Sequence, residues 1–230
     1  MSEKSRNAAI ALLLLVPAQS IATIVFYWHF DTAAGKISVA VLRLWIVLLP
    51  VLWLKLVDRE KVRWSPPKLG GFGVAVALGF AISIFIFAAF AIASHFGVIQ
   101  SDKVAGSAAR TGLNHLGTFI LGAIYWITLN SLAEEYVWRW FVFRKFEILI
   151  GGKLAVIAAA LAFMAHHVIV LAAQFNWPIT LAGSLGVFTG GAIWSWLYLR
   201  YRSIWPGYVS HAIVDAAIFV TGYCLIFGGR

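Results

Sequence analysis

The sequence is 230 residues long, with 62% hydrophobic and 12% charged residues and a formal net charge of +9. Soluble domains contain about 45–50% apolar and about 25% charged residues, so this composition excludes an ordinary water-soluble domain. The basic residues fall in short segments between apolar runs, which membrane topology explains better than a nucleic-acid surface. The composition therefore predicts one membrane domain over residues 1–230, with lipid and no nucleic acid among its partners.

Seven runs are long and apolar enough to cross a bilayer, which takes about 20 residues of helix. They predict spans at 8–28, 37–57, 70–97, 115–135, 153–174, 178–199 and 204–227. The aromatic and basic segment 136–150 either continues the fourth helix or lies at the interface as an eighth helix. The expected fold is all-α, a polytopic transmembrane bundle of about seven to eight helices.

The distribution of basic residues predicts the orientation of the bundle. Thirteen Lys and Arg residues lie in one set of alternate loops, and four lie in the other set. The richer set comprises the N-terminus and residues 55–68, 136–153 and 200–203. The positive-inside rule then places the N-terminus in the cytoplasm and, for seven spans, the C-terminus outside. The first run resembles a signal peptide but is longer than the usual core of about 7–15 residues, so we expect an uncleaved helix in a multi-pass protein of the cytoplasmic membrane.

Several ionisable residues interrupt the apolar runs. Such groups are costly in a bilayer and usually face the interior of a helix bundle, where they serve a function. Six of them fall within or at the edge of three predicted spans: Glu134, Glu135, His166, His167, His211 and Asp215. Their number and their distribution over three spans predict a functional site inside the membrane domain.

The two adjacent glutamates differ in how easily Arg139 can pair with them. Glu135 and Arg139 stand four residues apart, so they share a helix face and can pair. Glu134 is rotated by about 100° from Glu135 and is less accessible to that arginine. Glu134 is therefore the freer carboxylate and the candidate general base. The competing interpretation is a cluster of ion pairs at the cytoplasmic end of a helix.

The histidines complete the chemistry. Phe163 and His167 share a face of the fifth span, whereas His166 points about 100° away, and the pattern does not decide which histidine faces the site. His211 and Asp215 also stand four apart, so the aspartate could orient the imidazole, or the pair could tie helices together. A carboxylate base, imidazoles and oxyanion donors are what amide hydrolysis requires.

These residues resemble the motifs of a known family. Two glutamates followed after three residues by an arginine, Phe-x-x-x-His, and a histidine followed four residues later by Asn or Asp are motifs of the CAAX prenyl endopeptidases and bacteriocin-processing homologues (the CPBP or Abi family). The resemblance covers roughly residues 115–220, and the family consists of intramembrane glutamate proteases. The matching positions are Glu134, Glu135 and Arg139, then Phe163 and His167, then His211 and Asp215.

The resemblance implies a role for each matching position. Glu134 and His167 would activate the attacking water, and His211 and Asp215 would stabilise the oxyanion. The supporting residues would be Glu135, Arg139 and Phe163. Many relatives have asparagine where this chain has Asp215, and an ionised aspartate cannot donate to an oxyanion. The expected activity is hydrolysis of a peptide bond in a membrane-associated peptide or protein; the identity of that substrate, any prenyl group and the oligomeric state leave no mark in the sequence.

Alternatives remain at this point. A Glu, His and Asp set could bind zinc, but its members are scattered singly over three helices, which favours a metal-free mechanism without a cofactor. Buried acids and histidines also occur in proton-coupled transporters, although no twofold repeat supports that interpretation. A non-catalytic membrane scaffold or bacteriocin-immunity protein is the other alternative.

Overall fold

The computed structural model describes residues 1–62, 65–99 and 101–228, and these residues form eight helices and no strand. The predicted all-helical bundle is therefore confirmed. The helices are α1 (Glu3–His29), α2 (Ala33–Leu56), α3 (Phe72–His95), α4 (Ser101–Thr111), α5 (Leu116–Ile150), α6 (Gly152–Gln174), α7 (Trp177–Tyr201) and α8 (Ile204–Phe227). Arg63 and Arg230, two of the basic residues counted in the loops, lie outside the described residues.

Six of the eight helices are long and apolar enough to cross a membrane. They include six of the seven predicted spans, and the exception is α7, whose glycines, serines, threonines and tryptophans lower its mean hydropathy. Helix α7 is nevertheless 25 residues long and is joined to α6 and to α8 by connections of two residues. Because consecutive helices with such short links run antiparallel, α7 returns across the depth that α6 and α8 traverse.

Local sequence signals set the helix boundaries. The side chain of Asn176 caps α7 by accepting a hydrogen bond from the backbone N–H of Ile179, and Ser203 caps α8 in the same way. Gly151, at a positive φ of 79°, separates α5 from α6. The Pro66–Pro67 pair lies between α2 and α3, where no described residue is helical.

The structure decides between the two alternatives for residues 136–150. They continue the fourth predicted helix, so α5 has 35 residues and is about 52 Å long at 1.5 Å per residue. Glu134 consequently lies in the interior of α5. The segment that follows it, Glu135–Phe143, is largely buried in protein, which explains how it carries charged residues. The short helix α4 was not predicted from the sequence.

Contacts between loops divide the bundle into two ends. At one end Arg144 donates to Glu60 at 2.7 Å, and Arg202 donates to Glu147 at 2.8 Å. Lys145 and Asp58 also pair there. We call this the basic end, and it brings together the loops that the charge distribution assigned to one side.

The opposite end is held by different contacts. Gln174 donates to Tyr27 Oη at 2.9 Å, Asn176 donates to the Val98 carbonyl at 2.9 Å, and Arg110 pairs with Asp31 at 3.4 Å. These segments belong to the other set of alternate loops. The predicted alternation of loops is therefore present in the fold.

Helix packing leaves an apolar outer surface around a mainly hydrophobic core that also contains buried polar groups. Helix α6 packs along α7, α8 along α3, and α1 along α2, while the second half of α5 occupies the middle of the bundle. Side chains such as Leu13 and Phe85 expose 73% and 68% of their surface on the outside. Such exposure is expected where lipid is the solvent. Polar groups are gathered inside, near the middle of α5.

Candidate active site

The site is built around an irregular stretch of α5. Two π-helical segments, Trp126–Asn130 and Glu135–Phe143, flank the short α-helical segment Ser131–Glu134. π-helical turns are rare and occur frequently at functional sites. Because they change the rotation per residue, they determine how the polar side chains of this segment are directed. The two glutamates lie at the junction between the α-helical and π-helical turns.

Glu135 is fully buried and is held between two basic groups. Its Oε1 lies 3.1 Å from Arg139 Nη1 and 3.0 Å from His211 Nδ1. The side chains of Glu135 and Arg139 expose 0% and 1% of their surface. The predicted pairing of Glu135 with Arg139 is confirmed. Since a carboxylate accepts hydrogen bonds, the imidazole Nδ1 of His211 is protonated when Glu135 is ionised.

Arg139 is enclosed by aromatic rings as well as by Glu135. Its guanidinium carbon lies 4.6 Å from the centre of the Phe163 ring and 5.1 Å from the centre of the Trp194 ring. Nη2 also donates to the Gly191 carbonyl at 3.4 Å. Cation–π contacts of this kind are most favourable where water is excluded. Phe163 therefore contacts the charged pair directly.

Glu134 has a more open environment than Glu135. Its side chain is 18% exposed, and Oε2 lies 3.6 Å from His211 Nε2. Asn130 donates to the other oxygen, Oε1, at 3.0 Å. Arg139 has no ion-pair contact with Glu134 among the described residues. The carboxylate of Glu134 is thus positioned by neutral and imidazole partners and remains accessible.

The two adjacent histidines of α6 both approach Glu134. One ligand atom from each of Glu134, His166 and His167 lies within 4.8 Å of the other two. His167 Nδ1 is 3.0 Å from the Phe163 carbonyl. Because a carbonyl only accepts, Nδ1 carries the proton and Nε2 of a neutral His167 is an acceptor. His166 is 3% exposed, stacks on Trp138 at 5.3 Å, and its Nδ1 has no hydrogen-bond partner.

His211 and Asp215 form the other side of the site. Trp194 stacks on the His211 ring at 3.8 Å with an interplanar angle of 15° and donates from Nε1 to Ser210 at 3.2 Å. Asp215 Oδ1 lies 3.7 Å from His211 Nε2. The hydroxyl of Ser131 lies 2.6 Å from Asp215 Oδ2 and donates to it. These contacts fix the imidazole plane and one oxygen of the aspartate.

We call Glu134, Glu135, His167, His211 and Asp215 the acid–histidine cluster. Glycines allow its helices to approach one another. A Cβ atom on Gly207 of α8 would overlap Glu135 Oε2. A Cβ on Gly191 of α7 would lie 3.1 Å from the ring of Phe163. The backbone of α8 therefore passes directly against the buried carboxylate, which explains the glycine shortly before His211.

Gly186 and Gly190 stand four residues apart on α7, a spacing that can let membrane helices approach closely, but the structure assigns this role differently. Within the described part of the chain, a Cβ built on Gly186 has no packing neighbour within 4 Å, and the nearest atoms to Gly190 belong to Trp194 of the same helix. Gly183 and Gly191 instead face α6, where Leu171 and Phe163 lie 3.0 and 3.1 Å from the added Cβ. Four-residue spacing alone does not identify which glycines face a neighbouring helix.

The site also contains a set of possible metal ligands. Two histidines and one glutamate with an open position for water are a known ligand set of catalytic zinc. Glu134, His166 and His167 provide this ligand set. It differs from the set that the sequence suggested, whose Glu, His and Asp members were scattered singly over three helices. Zinc bonds of about 2.0–2.1 Å in a tetrahedral site hold ligands on the order of 3.4 Å apart. The donor types suit zinc. The longest distance between two of these ligand atoms would have to decrease for one ion to bind all three.

The sequence identified all five residues of the cluster but not the residues that support them. Asn130, Ser131 and Trp194 each contact a cluster member, and none was predicted. Asn130 could have been found from its four-residue spacing to Glu134, which places both on one face. Ser131 and Trp194 reach their partners across helices, so no spacing within one helix could identify them.

The fold and the cluster define the class of this protein: an integral multi-pass membrane protein with a polar site inside a helical bundle. Residues 116–217 match the model of the family described as type II CAAX prenyl endopeptidase Rce1-like. The matched segment begins at the first residue of α5 and includes the whole acid–histidine cluster. The match covers 102 of the 230 residues and supports the predicted family, because this segment is similar to the CAAX endopeptidase-type proteases. No curated protein and no solved structure shows a significant match to the chain.

Proposed function

We propose that the protein is an intramembrane endopeptidase in which Glu134 activates a water molecule to hydrolyse a peptide bond. The observation that carries this proposal is the contrast between the two glutamates. Glu135 is sealed against Arg139 and His211, whereas Glu134 is partly exposed, close to three imidazoles and free of a direct ion pair with the arginine. A general base must be reachable by water, and a buried ion pair with an arginine would weaken it as a base.

His167 acts with Glu134 on the water. Its Nδ1 proton is committed to the Phe163 carbonyl, so Nε2 presents a lone pair to the site. The water donates one hydrogen bond to Glu134 and one to His167. As its oxygen attacks the scissile carbonyl carbon, Glu134 takes the proton and later returns it to the leaving nitrogen. This sequence breaks the C–N bond and leaves Glu134 ionised for the next turnover.

The oxyanion is stabilised from the opposite side. Glu135 keeps Nδ1 of His211 protonated, and a doubly protonated His211 directs its Nε2–H towards the site. Oδ2 of Asp215 accepts a hydrogen bond from the Ser131 hydroxyl. A proton carried on Oδ1 therefore points towards the site, as the Nε2–H of His211 does. A protonated aspartate in this arrangement imitates the asparagine of many relatives.

The mechanism needs no metal, since the base, the water acceptor and the oxyanion donors are protein groups. If zinc were bound, Glu134, His166 and His167 would hold it, and the ion would polarise the water and the carbonyl. The same residues would then act as ligands. The metal-free and the zinc mechanisms make opposite predictions for the effect of a chelator on cleavage.

We assign the basic end to the cytoplasm and the N-terminus to the same side, from the excess of Lys and Arg there. His211 lies seven residues after the start of α8, or about 10 Å from that end. A membrane-associated peptide or protein segment entering from the basic end is therefore the expected substrate. Its sequence and any lipid modification are left to experiment.

The test measures cleavage of a library of membrane-anchored peptides by purified protein in liposomes. We expect Glu134→Gln, His167→Ala and His211→Ala each to lower the rate by about 10²-fold or more, as for general acid–base and oxyanion groups. Glu147→Gln is the matched control, because Glu147 is on the same helix but pairs with Arg202 at the surface. Normal cleavage by all three site variants would overturn the assignment. Loss of activity with a chelator, restored by zinc, would overturn the metal-free mechanism.

The same experiment separates the two other candidate functions. A scaffold or immunity protein would bind a partner without releasing peptide products. A proton-coupled transporter would move a solute or protons in proteoliposomes, and Glu134→Gln would abolish that flux while no peptide is cut.

A further inference from the structure

An apolar groove on the outside of the bundle lies apart from the acid–histidine cluster. Its volume is about 520 Å³, and helices α3, α6 and α7 form its walls. The apolar lining includes Val74, Leu78, Val156, Phe188, Ala192 and Trp196. The hydroxyl of Thr189, which also lines the groove, donates to the Leu185 carbonyl of its own helix at 2.8 Å. The groove therefore offers an almost purely apolar surface.

The groove is separated from the cluster by the thickness of α7. Trp194 on one side of this helix stacks on His211, whereas Ala192 and Trp196 face the groove. Trp196 is 43% exposed, as expected for a groove that opens to lipid. An occupant of the groove would not reach the catalytic groups.

The depth of the groove matches one leaflet of a bilayer. Phe188 and Trp196 are eight residues apart on α7, or about 12 Å, and Arg200 is about 6 Å further towards the basic end. The total of about 18 Å compares with about 15 Å for half of the hydrocarbon core. The groove thus extends from the headgroup region of the basic end to about the bilayer midplane.

Two cations stand at the mouth of the groove. Arg200 follows Trp196 by four residues on α7, and Lys153 precedes Val156 by three on α6, so each cation shares a helix face with a lining residue. Both are exposed, and within the described parts of the chain neither forms an ion pair.

Three other cations at the same end are neutralised by carboxylates: Arg144 by Glu60, Lys145 by Asp58 and Arg202 by Glu147. Further cations there, such as Lys55 and Lys61, form no ion pair within the described residues either, but they belong to no helix that lines the groove. The positive-inside rule accounts for the excess of Lys and Arg in these loops. It does not account for the position of Lys153 and Arg200 one turn beyond the end of an apolar groove, where Arg200 also lies over the Tyr201 ring at 5.5 Å.

We propose that the groove and this pair of cations bind one anionic phospholipid from the leaflet at the basic end. An acyl chain fills the groove, and the phosphate lies between Lys153 and Arg200. Basic pockets between transmembrane helices on the cytoplasmic side are suited to anionic headgroups. A lipid with a neutral headgroup would leave both cations unmatched. This proposal goes beyond the proposed catalytic function and does not depend on it.

The first test uses the purified full chain in mild detergent, with phosphatidylglycerol and phosphatidylcholine of identical acyl chains. Native mass spectrometry counts the lipids retained. We expect one phosphatidylglycerol to be retained and phosphatidylcholine to be bound much more weakly. Lys153→Gln combined with Arg200→Gln should weaken phosphatidylglycerol binding by about thirtyfold, from about fivefold for each cation. The control pair, Lys55→Gln with Lys61→Gln, removes the same charge near the same end and should leave binding unchanged.

The second test fills the groove and leaves the charges in place. Ala192→Trp should reduce phosphatidylglycerol retention, whereas Leu185→Trp should not, because Leu185 is 59% exposed and lies outside the groove lining. Equal retention of the two lipids would overturn the proposal. So would an effect of the charge variants without any effect of Ala192→Trp, because that result indicates attraction to the loop surface alone. A groove occupied by a second copy would appear as a dimer that Ala192→Trp dissociates, and this outcome would also overturn it.

Discussion

Oε1 of Glu135 lies 3.0 Å from Nδ1 of His211, across the interface between α5 and α8. The same oxygen is 3.1 Å from Arg139, so a single buried carboxylate fixes an imidazole and neutralises a guanidinium. Its neighbour Glu134 is left to face the open side of the site. The different environments of the two glutamates therefore follow from their different rotation about the axis of one helix.

Replacement of Glu135 tests its structural importance. We expect Glu135→Gln to destabilise the protein by about 3–5 kcal/mol, because Arg139 would remain charged and buried without a compensating partner. The double variant with Arg139→Met should recover part of this loss by removing the orphaned charge. Thermal unfolding in detergent, followed by circular dichroism, measures both changes.

An exposed ion pair provides the comparison for that result. Glu147 pairs with Arg202, whose side chain is 51% exposed, so Glu147→Gln should cost about 1 kcal/mol or less. If Glu135→Gln lowered the stability no more than Glu147→Gln does, the buried pair of Glu135 and Arg139 would not be important for the stability of the fold.

Gly207 tests the close approach of α8 to α5. A Cβ at this position would overlap Glu135 Oε2, so Gly207→Ala should displace the carboxylate and impair both folding and activity. Gly186→Ala, in the interior of α7 with nothing within 4 Å, should instead stabilise the protein by up to about 1 kcal/mol. The unfolding temperatures of the two variants should therefore move in opposite directions, and a shift in the same direction would contradict the packing described.

Trp194 is expected to hold the plane of the His211 ring. Trp194→Phe keeps an aromatic ring but loses the hydrogen bond to Ser210, so we expect a stability loss of about 1–2 kcal/mol. The turnover rate should fall more than the affinity for substrate, because a misdirected imidazole weakens stabilisation of the transition state. Steady-state kinetics separate the two effects, and an unchanged kcat with a raised KM would contradict this role.

Sequence periodicity predicted what lies within one helix. The apolar runs gave the helices, and four-residue spacing gave the Glu135–Arg139 pair and placed His211 and Asp215 on one face. Periodicity did not predict contacts between helices, because the contacts of Trp194 with His211 and of Ser131 with Asp215 depend on how the helices pack. The π-helical turns of α5 are equally absent from the pattern, since no residue spacing in the sequence marks a turn of this type. The role of each member of the cluster remains a prediction until the variants are measured.

Glu60 gives a pH dependence at the surface of the basic end. Burial raises the pKa of this carboxyl, but the hydrogen bond and positive charge of Arg144 outweigh burial and lower its pKa below the usual value. A group with a lowered folded-state pKa contributes stability above its unfolded-state pKa and loses it as the pH falls through the folded-state value. Glu60→Gln should therefore lower the unfolding temperature at pH 7, and the gap from the wild type should close below about pH 4. A gap that persists at low pH would exclude charge pairing as its cause.

Asp215 provides the sharpest test of the oxyanion side. Its Oδ2 accepts from Ser131, and an asparagine could accept the same bond through its carbonyl oxygen while directing its NH₂ group to the site, as a protonated aspartate directs Oδ1–H. We therefore expect Asp215→Asn to retain cleavage within about tenfold of the wild type, and Asp215→Leu to lose about 10²–10³-fold. Initial cleavage rates of the wild type and of the two variants, measured at one pH, check this. If Asp215→Asn were as inactive as Asp215→Leu, the aspartate would act as a carboxylate, through His211, and not as a donor to the oxyanion.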